Sequence, residues 1–287
     1  MVEGLERGLQ PIFMRHVVAL SLLDAEREFE EDSLPLDYQP GHILFSAFVI
    51  SVQNIWFLIT AGHILRDIET RIKSGRRIVK ARLIDSLQDN QNKMSIPFDF
   101  HDAPKAPIYR EEEGIDYGVI LLRACYVRLL VAGGTRAFNE NEYKDLPGKA
   151  EKYFLLGFPS QARKINHTRR ELGGNITIDI GCPLLPIQPV DDPPAELRLT
   201  EKRFYVKVPI IPGNRYAEDG IMTDIDGMSG GPIIAVKKIN SGEIRYWIIG
   251  VQSGWLKSKR ILAACYMEPL INALQGCIKR LKGEKSI

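Results

Sequence analysis

Gly227-Met228-Ser229-Gly230-Gly231-Pro232 sets three glycines around one serine and leads into an apolar run. Glycine adopts backbone torsions that other residues avoid and lets another chain come close. The hexapeptide therefore suits a sharp turn that exposes a hydroxyl. A serine hydroxyl is a weak nucleophile by itself and needs a base within hydrogen-bond reach. Thr60-Ala61-Gly62-His63 offers an imidazole directly after the apolar run Ile55 to Ile59. Asp116 offers a carboxylate, and it opens the stretch Tyr117-Gly118-Val119-Ile120-Leu121-Leu122. Each has a plainer reading alone: a glycine-rich β-turn, a surface-loop histidine, an aspartate that caps a turn. Taken together, they are the residue types of nucleophilic acyl transfer, in the order base, orienting acid, nucleophile.

The serine hexapeptide also matches the nucleophile elbow of α/β-hydrolases. That elbow needs a helix right after the serine, and an acid and a histidine later in the chain. Here Pro232 and a β-branched run follow, and His16, His42, His63, His101 and His167 all precede Ser229. The hydrolase order cannot be built.

The elements that must hold these residues are short strands separated by Gly, Pro, Asn and Asp. Phe45 to Ser51 and Ile55 to Thr60 read as a hairpin around Gln53-Asn54. Strands are expected at Ile78 to Ile84, Tyr117 to Leu122, Tyr153 to Gly157, Ile176 to Ile180 and Phe204 to Val208. Another pair, Pro232 to Val236 and Tyr246 to Val251, is joined by a loop containing Asn240-Ser241-Gly242. No alternation of strands with long helices suggests a parallel α/β sheet. Leu270, Ile271, Leu274, Ile278 and Leu281 recur at helical spacing and predict a C-terminal helix. The chain divides as an N-terminal strand and acidic segment (1–40), a first β half (41–130), a linker (131–150), a second β half (151–267), and the helix and tail (268–287).

With these motifs in this order, the chain resembles the trypsin-like (chymotrypsin-fold) serine peptidases. It is closest to the bacterial, disulfide-free, HtrA-like branch, and it has no recognisable PDZ-like segment. Further echoes are Phe48-Val49-Ile50-Ser51, Gly157-Phe158-Pro159 and Ile248-Ile249-Gly250-Val251, so the resemblance runs from about Leu44 to Leu274. It implies an all-β fold of two six-stranded antiparallel β-barrels, with His63 and Asp116 on the first and Ser229 on the second. It also implies a serine endopeptidase with His63, Asp116 and Ser229 as its triad and the N–H groups of Gly227 and Ser229 as its oxyanion hole. The substrate-binding wall would come from Thr223, Gly250, Val251, Gln252 and Ser253. Thr223, six before the serine, is not an acid, although Asp224 and Asp226 stand close by. The expected preference is a small or apolar residue before the cut.

Two departures bear on regulation. Gly62 stands where the family most often has a second alanine, which reads as a tolerable change. Met228 replaces the aspartate that pairs with a newly cleaved N-terminus in the secreted enzymes, so that activation switch is unavailable. The alternative reading is a catalytically silent protease-like binding or scaffold module, or a protease activated only by a regulatory protein partner.

Composition narrows the field further. In 287 residues, 45% are hydrophobic and 26% charged, ordinary values for a globular protein, and the net charge of +2 gives no argument for nucleic acid or a membrane surface. Pro11 to Leu23 is interrupted by Arg15 and His16, so neither a signal peptide nor a membrane span is expected. Cys125, Cys182, Cys265 and Cys277 form no Cys-x-x-Cys pair and lack a histidine at metal-ligand spacing. Free thiols and a cytoplasmic location are expected, with no cofactor or metal, and with a protein or peptide as substrate.

Overall fold

The computed structural model describes residues 2–25, 41–85, 95–144, 150–167, 176–212, 221–222, 224–238 and 243–283. Gln53 and Asn54 both take positive φ, 50° and 65°. This is the backbone of a two-residue hairpin turn whose twist matches that of its strands. The turn belongs to a first half built from α1 (Val2–Met14), β1 (Val17–Ala25), β2 (Gly41–Val52), β3 (Ile55–Thr60), α2 (Gly62–Lys73), β4 (Arg77–Ile84), β5 (Ser95–Pro97), β6 (Lys105–Arg110), β7 (Ile115–Leu121) and α3 (Ala124–Ala132).

Its strands form one antiparallel sheet of seven, in the order β5-β4-β1-β2-β3-β7-β6. The expected first barrel of six strands is thus a seven-stranded sheet that the described residues leave open. Pro97 and Pro107 stand in the two outermost strands, where a residue without an N–H cannot extend the ladder. β1 pairs with β2 along its length, so this half begins before residue 41. The stretch 131–150 is not a bare linker, because Phe138 exchanges main-chain hydrogen bonds with Val49 and Ser51 of β2.

The second half contains β8 (Lys152–Leu156), β9 (Arg163–His167), β10 (Ile176–Ile180), β11 (Leu184–Pro189), β12 (Arg203–Lys207), β13 (Ile211–Pro212), β14 (Ile221–Met222), β15 (Pro232–Lys238), β16 (Ile244–Leu256), β17 (Ile261–Tyr266) and α4 (Met267–Leu281). Six of these strands close a barrel in the order β11-β12-β17-β16-β15-β8. The molecule is therefore mostly β, with a closed six-stranded barrel, a second sheet and a C-terminal helix. The Asn240-Ser241-Gly242 loop lies outside the described residues.

Three apolar clusters hold this arrangement. One fills the first half, around Val18, Leu20, Val49, Leu58 and Ile120. Another fills the barrel, around Leu155, Ile187, Val206, Ile233 and Met228. The third lies in the seam between the halves and joins Phe13 of α1, Phe48 of β2, Phe154 of β8 and Leu270 and Ile271 of α4. Burying such side chains contributes about 1.5–3 kcal/mol each, so the seam stabilises the relative placement of the halves as each interior stabilises its own. That placement matters because the residues singled out for chemistry come from both sides. No helix among the described residues is long and apolar enough to cross a membrane.

Candidate active site

His63 lies in the first turn of α2, whose Ile64, Leu65 and Ile68 are buried beneath it. The first N–H groups of a helix have no partner within it. Ala61 at the N-cap has no side chain to supply one. Asp116 does so from β7: its Oδ1 accepts the His63 main-chain N–H at 2.8 Å. The other oxygen, Oδ2, accepts from His63 Nδ1 at 2.7 Å. A carboxylate accepts from Nδ1 only when that nitrogen carries the proton, so Nε2 is left as the basic nitrogen. Asp116 is 4% exposed, whereas the His63 side chain keeps 27% of its surface. The base is thus anchored from a dry strand while its ring stays reachable.

The approach of these strands depends on Gly62. A Cβ there would lie 2.9 Å from the carbonyl oxygens of Ile108 and Tyr117 and 3.0 Å from the Tyr117 nitrogen. Alanine has no room against main chain so close, so glycine is what this position requires.

Ser229 sits in a turn between Gly227 and Gly230, which take positive φ of 89° and 86°. In that left-handed region a side chain is strained, so the two glycines are what the turn requires. The turn docks on the histidine segment: a Cβ at Gly230 would fall 2.2 Å from Thr60 Oγ1 and 2.9 Å from the Ala61 nitrogen. Ser46 of β2 ties it further, donating from Oγ to the Gly227 carbonyl at 3.0 Å and accepting from the Phe158 N–H at 2.8 Å. Ser229 is half-buried, and among the described residues nothing accepts from its main-chain N–H. No hydrogen bond joins its Oγ to His63 among the described residues; such contacts often tighten only around a bound substrate.

Met228, beside the serine, is fully buried in the barrel cluster with Ile225 and Ile233. The residue beside the serine is therefore an apolar anchor. Upstream, the Asp224 carboxylate accepts from Lys257 Nζ, from Trp255 Nε1 at 3.2 Å and from the Asp226 N–H at 3.1 Å. Burial pushes the Asp224 carboxyl up, but the hydrogen bonds from Lys257 and Asp226 outweigh it and hold the group below its ordinary value. Asp226 is raised, by desolvation and by the negative charge of Asp224. Asp224 is thus spoken for by Lys257, which removes it as a free counter-charge for a basic substrate side chain.

Of the residues expected to line the substrate wall, Thr223 lies outside the described residues. Gly250 and Val251 are buried, Val251 in the seam cluster. Gln252 and Ser253 are the strand positions next to the serine turn, because the Gln252 carbonyl accepts from the Gly230 N–H at 2.8 Å and its N–H donates to the Gly231 carbonyl at 2.9 Å. Ser46, Lys257 and Trp255 were missed in the sequence, where contacts between residues 33 or 181 positions apart leave no local signal. Among the described residues no three His, Cys, Asp or Glu side chains gather as metal ligands. All four cysteines are free thiols, with Cys125 and Cys277 exposed and Cys182 and Cys265 buried.

No protein-family model matches the chain, and no curated protein matches it. Among solved structures it is similar to a thermostable serine protease, AL20, from an extremophilic microorganism, at 13% identity and a TM-score of 0.44, over 88% of this chain and 91% of that one. It is similar to Deg5 at 14% identity and a TM-score of 0.42, over 94% and 93% of the two chains. A catalytically inactive tobacco etch virus protease complexed with substrate aligns at 11% identity and a TM-score of 0.41, over 97% and 87%. Likeness at this level decides nothing about activity, which has to be argued from the side chains.

Proposed function

We propose that the chain is a serine endopeptidase that cleaves peptide bonds through an acyl-enzyme. The observation that carries this reading is the two-point grip of Asp116 on His63, opposite a glycine-framed turn that presents Ser229. In this mechanism Ser229 Oγ attacks the scissile carbonyl carbon while His63 Nε2 takes its proton. The C–N bond then breaks, the same proton passes to the leaving amine, and water, activated by His63, hydrolyses the ester. Asp116 holds the imidazole in the tautomer with the proton on Nδ1 and stabilises it when charged. The N–H groups of Gly227 and Ser229 receive the oxyanion, where each donor is worth about 3 kcal/mol of transition-state stabilisation.

Two features support a turn that is already set without an activation cleavage. Met228 is anchored by apolar burial, and Asp224 is latched to Lys257 and Trp255. The neutralised Asp224 supports a small or apolar residue before the cut over a basic one. Free thiols agree with a disulfide-free, HtrA-like relative working in the cytoplasm. A second reading, a site completed only by a partner protein, draws on the absence of a Ser229–His63 hydrogen bond among the described residues.

Fluorophosphonate labelling of the purified chain tests the proposal, with Ser229→Ala and His63→Ala as controls. Labelling that disappears in both variants supports the active enzyme. A folded wild type that stays unlabelled until a partner is added supports the second reading, and one that never labels removes the peptidase.

A further inference from the structure

Arg203 opens β12 and pairs with Cys265 of β17, whose side chain belongs to the seam between the halves. Directly paired residues share a face, so Arg203 points out of the barrel into that seam. It is only 9% exposed. Its Nη2 donates to Ser253 Oγ, and its buried Nε has no hydrogen-bond partner. Among the described residues no carboxylate forms an ion pair with it. A guanidinium taken out of water without a carboxylate is costly, and the cost is relieved when an anion arrives.

The surroundings say which anion. Gln252 faces the barrel interior, since it pairs with Ala264 of the barrel cluster; Arg203 lies on the other side of the same strand, bonded to Ser253. A Cβ at Gly254 would lie 3.7 Å from both Nη1 and Nη2, and one at Gly114 would lie 3.2 Å from the Arg203 Cδ. The cation is thus framed by two residues without side chains, one following Ser253 and the other two before Asp116. The charges nearby do not satisfy it. Asp116 is committed to His63. Glu201 and Lys202, exposed neighbours of opposite sign, line a cavity of about 280 Å³ together with Gly114 and Cys265, and among the described residues neither carboxylate forms an ion pair with Arg203.

We propose that Arg203 is a specificity-determining residue that receives an acidic side chain of the peptide substrate, two to four residues upstream of the cleaved bond. The proposal rests on the peptidase reading, which assigns residues 252–254 to the acyl side of the substrate. An extended peptide rises about 3.3 Å per residue. Side chains two to four residues from the cut therefore fall about 7–13 Å from Ser229, a span that reaches past Gln252 to Ser253 and Gly254. The guanidinium fork suits a carboxylate through paired hydrogen bonds.

Tetrapeptide phosphonates that label Ser229 test this directly. The residue before the phosphonate is held as alanine, and Glu, Gln or Lys is placed in turn at each of the three upstream positions. In the wild type, Glu should label about tenfold faster than Gln or more at one position, as befits a charge-assisted pair in a dry site. In Arg203→Gln that ratio should fall to about one, and in Arg203→Glu the order should shift toward Lys; a ratio cancels any general change in serine reactivity. The wild-type ratio stands even where a variant does not fold. Labelling by a simple fluorophosphonate with no Glu preference at any position overturns the role of Arg203 alone, as does a preference that survives Arg203→Gln. A folded wild type that no phosphonate labels overturns this role together with the peptidase reading.

Discussion

The Ser46 hydroxyl of the first half donates to the Gly227 carbonyl of the second at 3.0 Å, and the same oxygen accepts from the Phe158 N–H at 2.8 Å. One side chain thus spans the seam and holds the carbonyl that precedes Met228 and Ser229. Ser46 is fully buried, and water cannot replace it without opening the seam. Ser46→Ala should lower stability by about 1–3 kcal/mol, the cost of stranding buried polar groups, and should slow labelling of Ser229. Unfolding in urea and labelling rates check this. A variant equal to wild type in both would show that the hydroxyl does not set the turn.

A Cβ at Gly62 would meet three main-chain atoms within 3.0 Å. Main chain cannot swing away as a side-chain tip can. Gly62→Ala should therefore push α2 off β7, costing about 1–3 kcal/mol by overpacking. The shift should separate His63 from Asp116 and slow Ser229 labelling by about tenfold to a hundredfold. An unchanged melting temperature and labelling rate would mean that the backbone relaxes around the methyl.

Much of this was open to reading because its signals are local. Gln53-Asn54 marks a hairpin by residue type alone, and Leu270, Ile271, Leu274 and Ile278 mark α4 by spacing. His63 and Asp116 were legible because each stands beside a strand of strong apolar pattern. The helix that carries His63 shows its period in Ile64, Leu65, Ile68 and Ile72, but it follows a strand of strong apolar pattern with no capping side chain to mark its start. The need for glycine at residue 62, the Asp224–Lys257 contact and the burial of Arg203 had no local trace. Each depends on a strand that arrives from tens of residues away, and only the closed fold brings them together.

Met228 anchors the serine turn by apolar burial, and that burial gives substitutions there a measurable sign. Met228→Leu keeps volume and polarity and should cost less than about 1.5 kcal/mol. Met228→Asp places a carboxylate among Leu155, Ile225 and Ile233, with no partner supplied. Removing compensation from a buried charge costs about 3–5 kcal/mol, so this variant should be strongly destabilised and should label poorly if it folds. Comparable stability of the two variants would contradict an apolar anchor for the serine turn.

His16 ties stability to pH in a way that does not involve the active site. Its ring stacks on Phe138 at 3.9 Å. Its Nδ1 donates to the Arg136 carbonyl at 2.7 Å, and Nε2 lies 2.9 Å from the Tyr246 hydroxyl. A carbonyl can only accept, so Nδ1 carries the proton and Nε2 takes the hydroxyl hydrogen of Tyr246. Burial pushes the imidazole down from 6.5 to about 3, against the Arg136 hydrogen bond that would raise it. The unfolded chain therefore binds a proton below pH 6.5 that the folded chain refuses until about pH 3. With more protons bound on unfolding, stability falls as pH falls across that window, by up to about 1.4 kcal/mol per unit from this residue. Denaturant titrations at pH 7, 6 and 5 should show a shallower loss in His16→Gln than in wild type, because other titrating groups are common to both. Parallel losses would mean that His16 gains its proton without unfolding, and that the seam around Phe138 opens more easily than its packing implies.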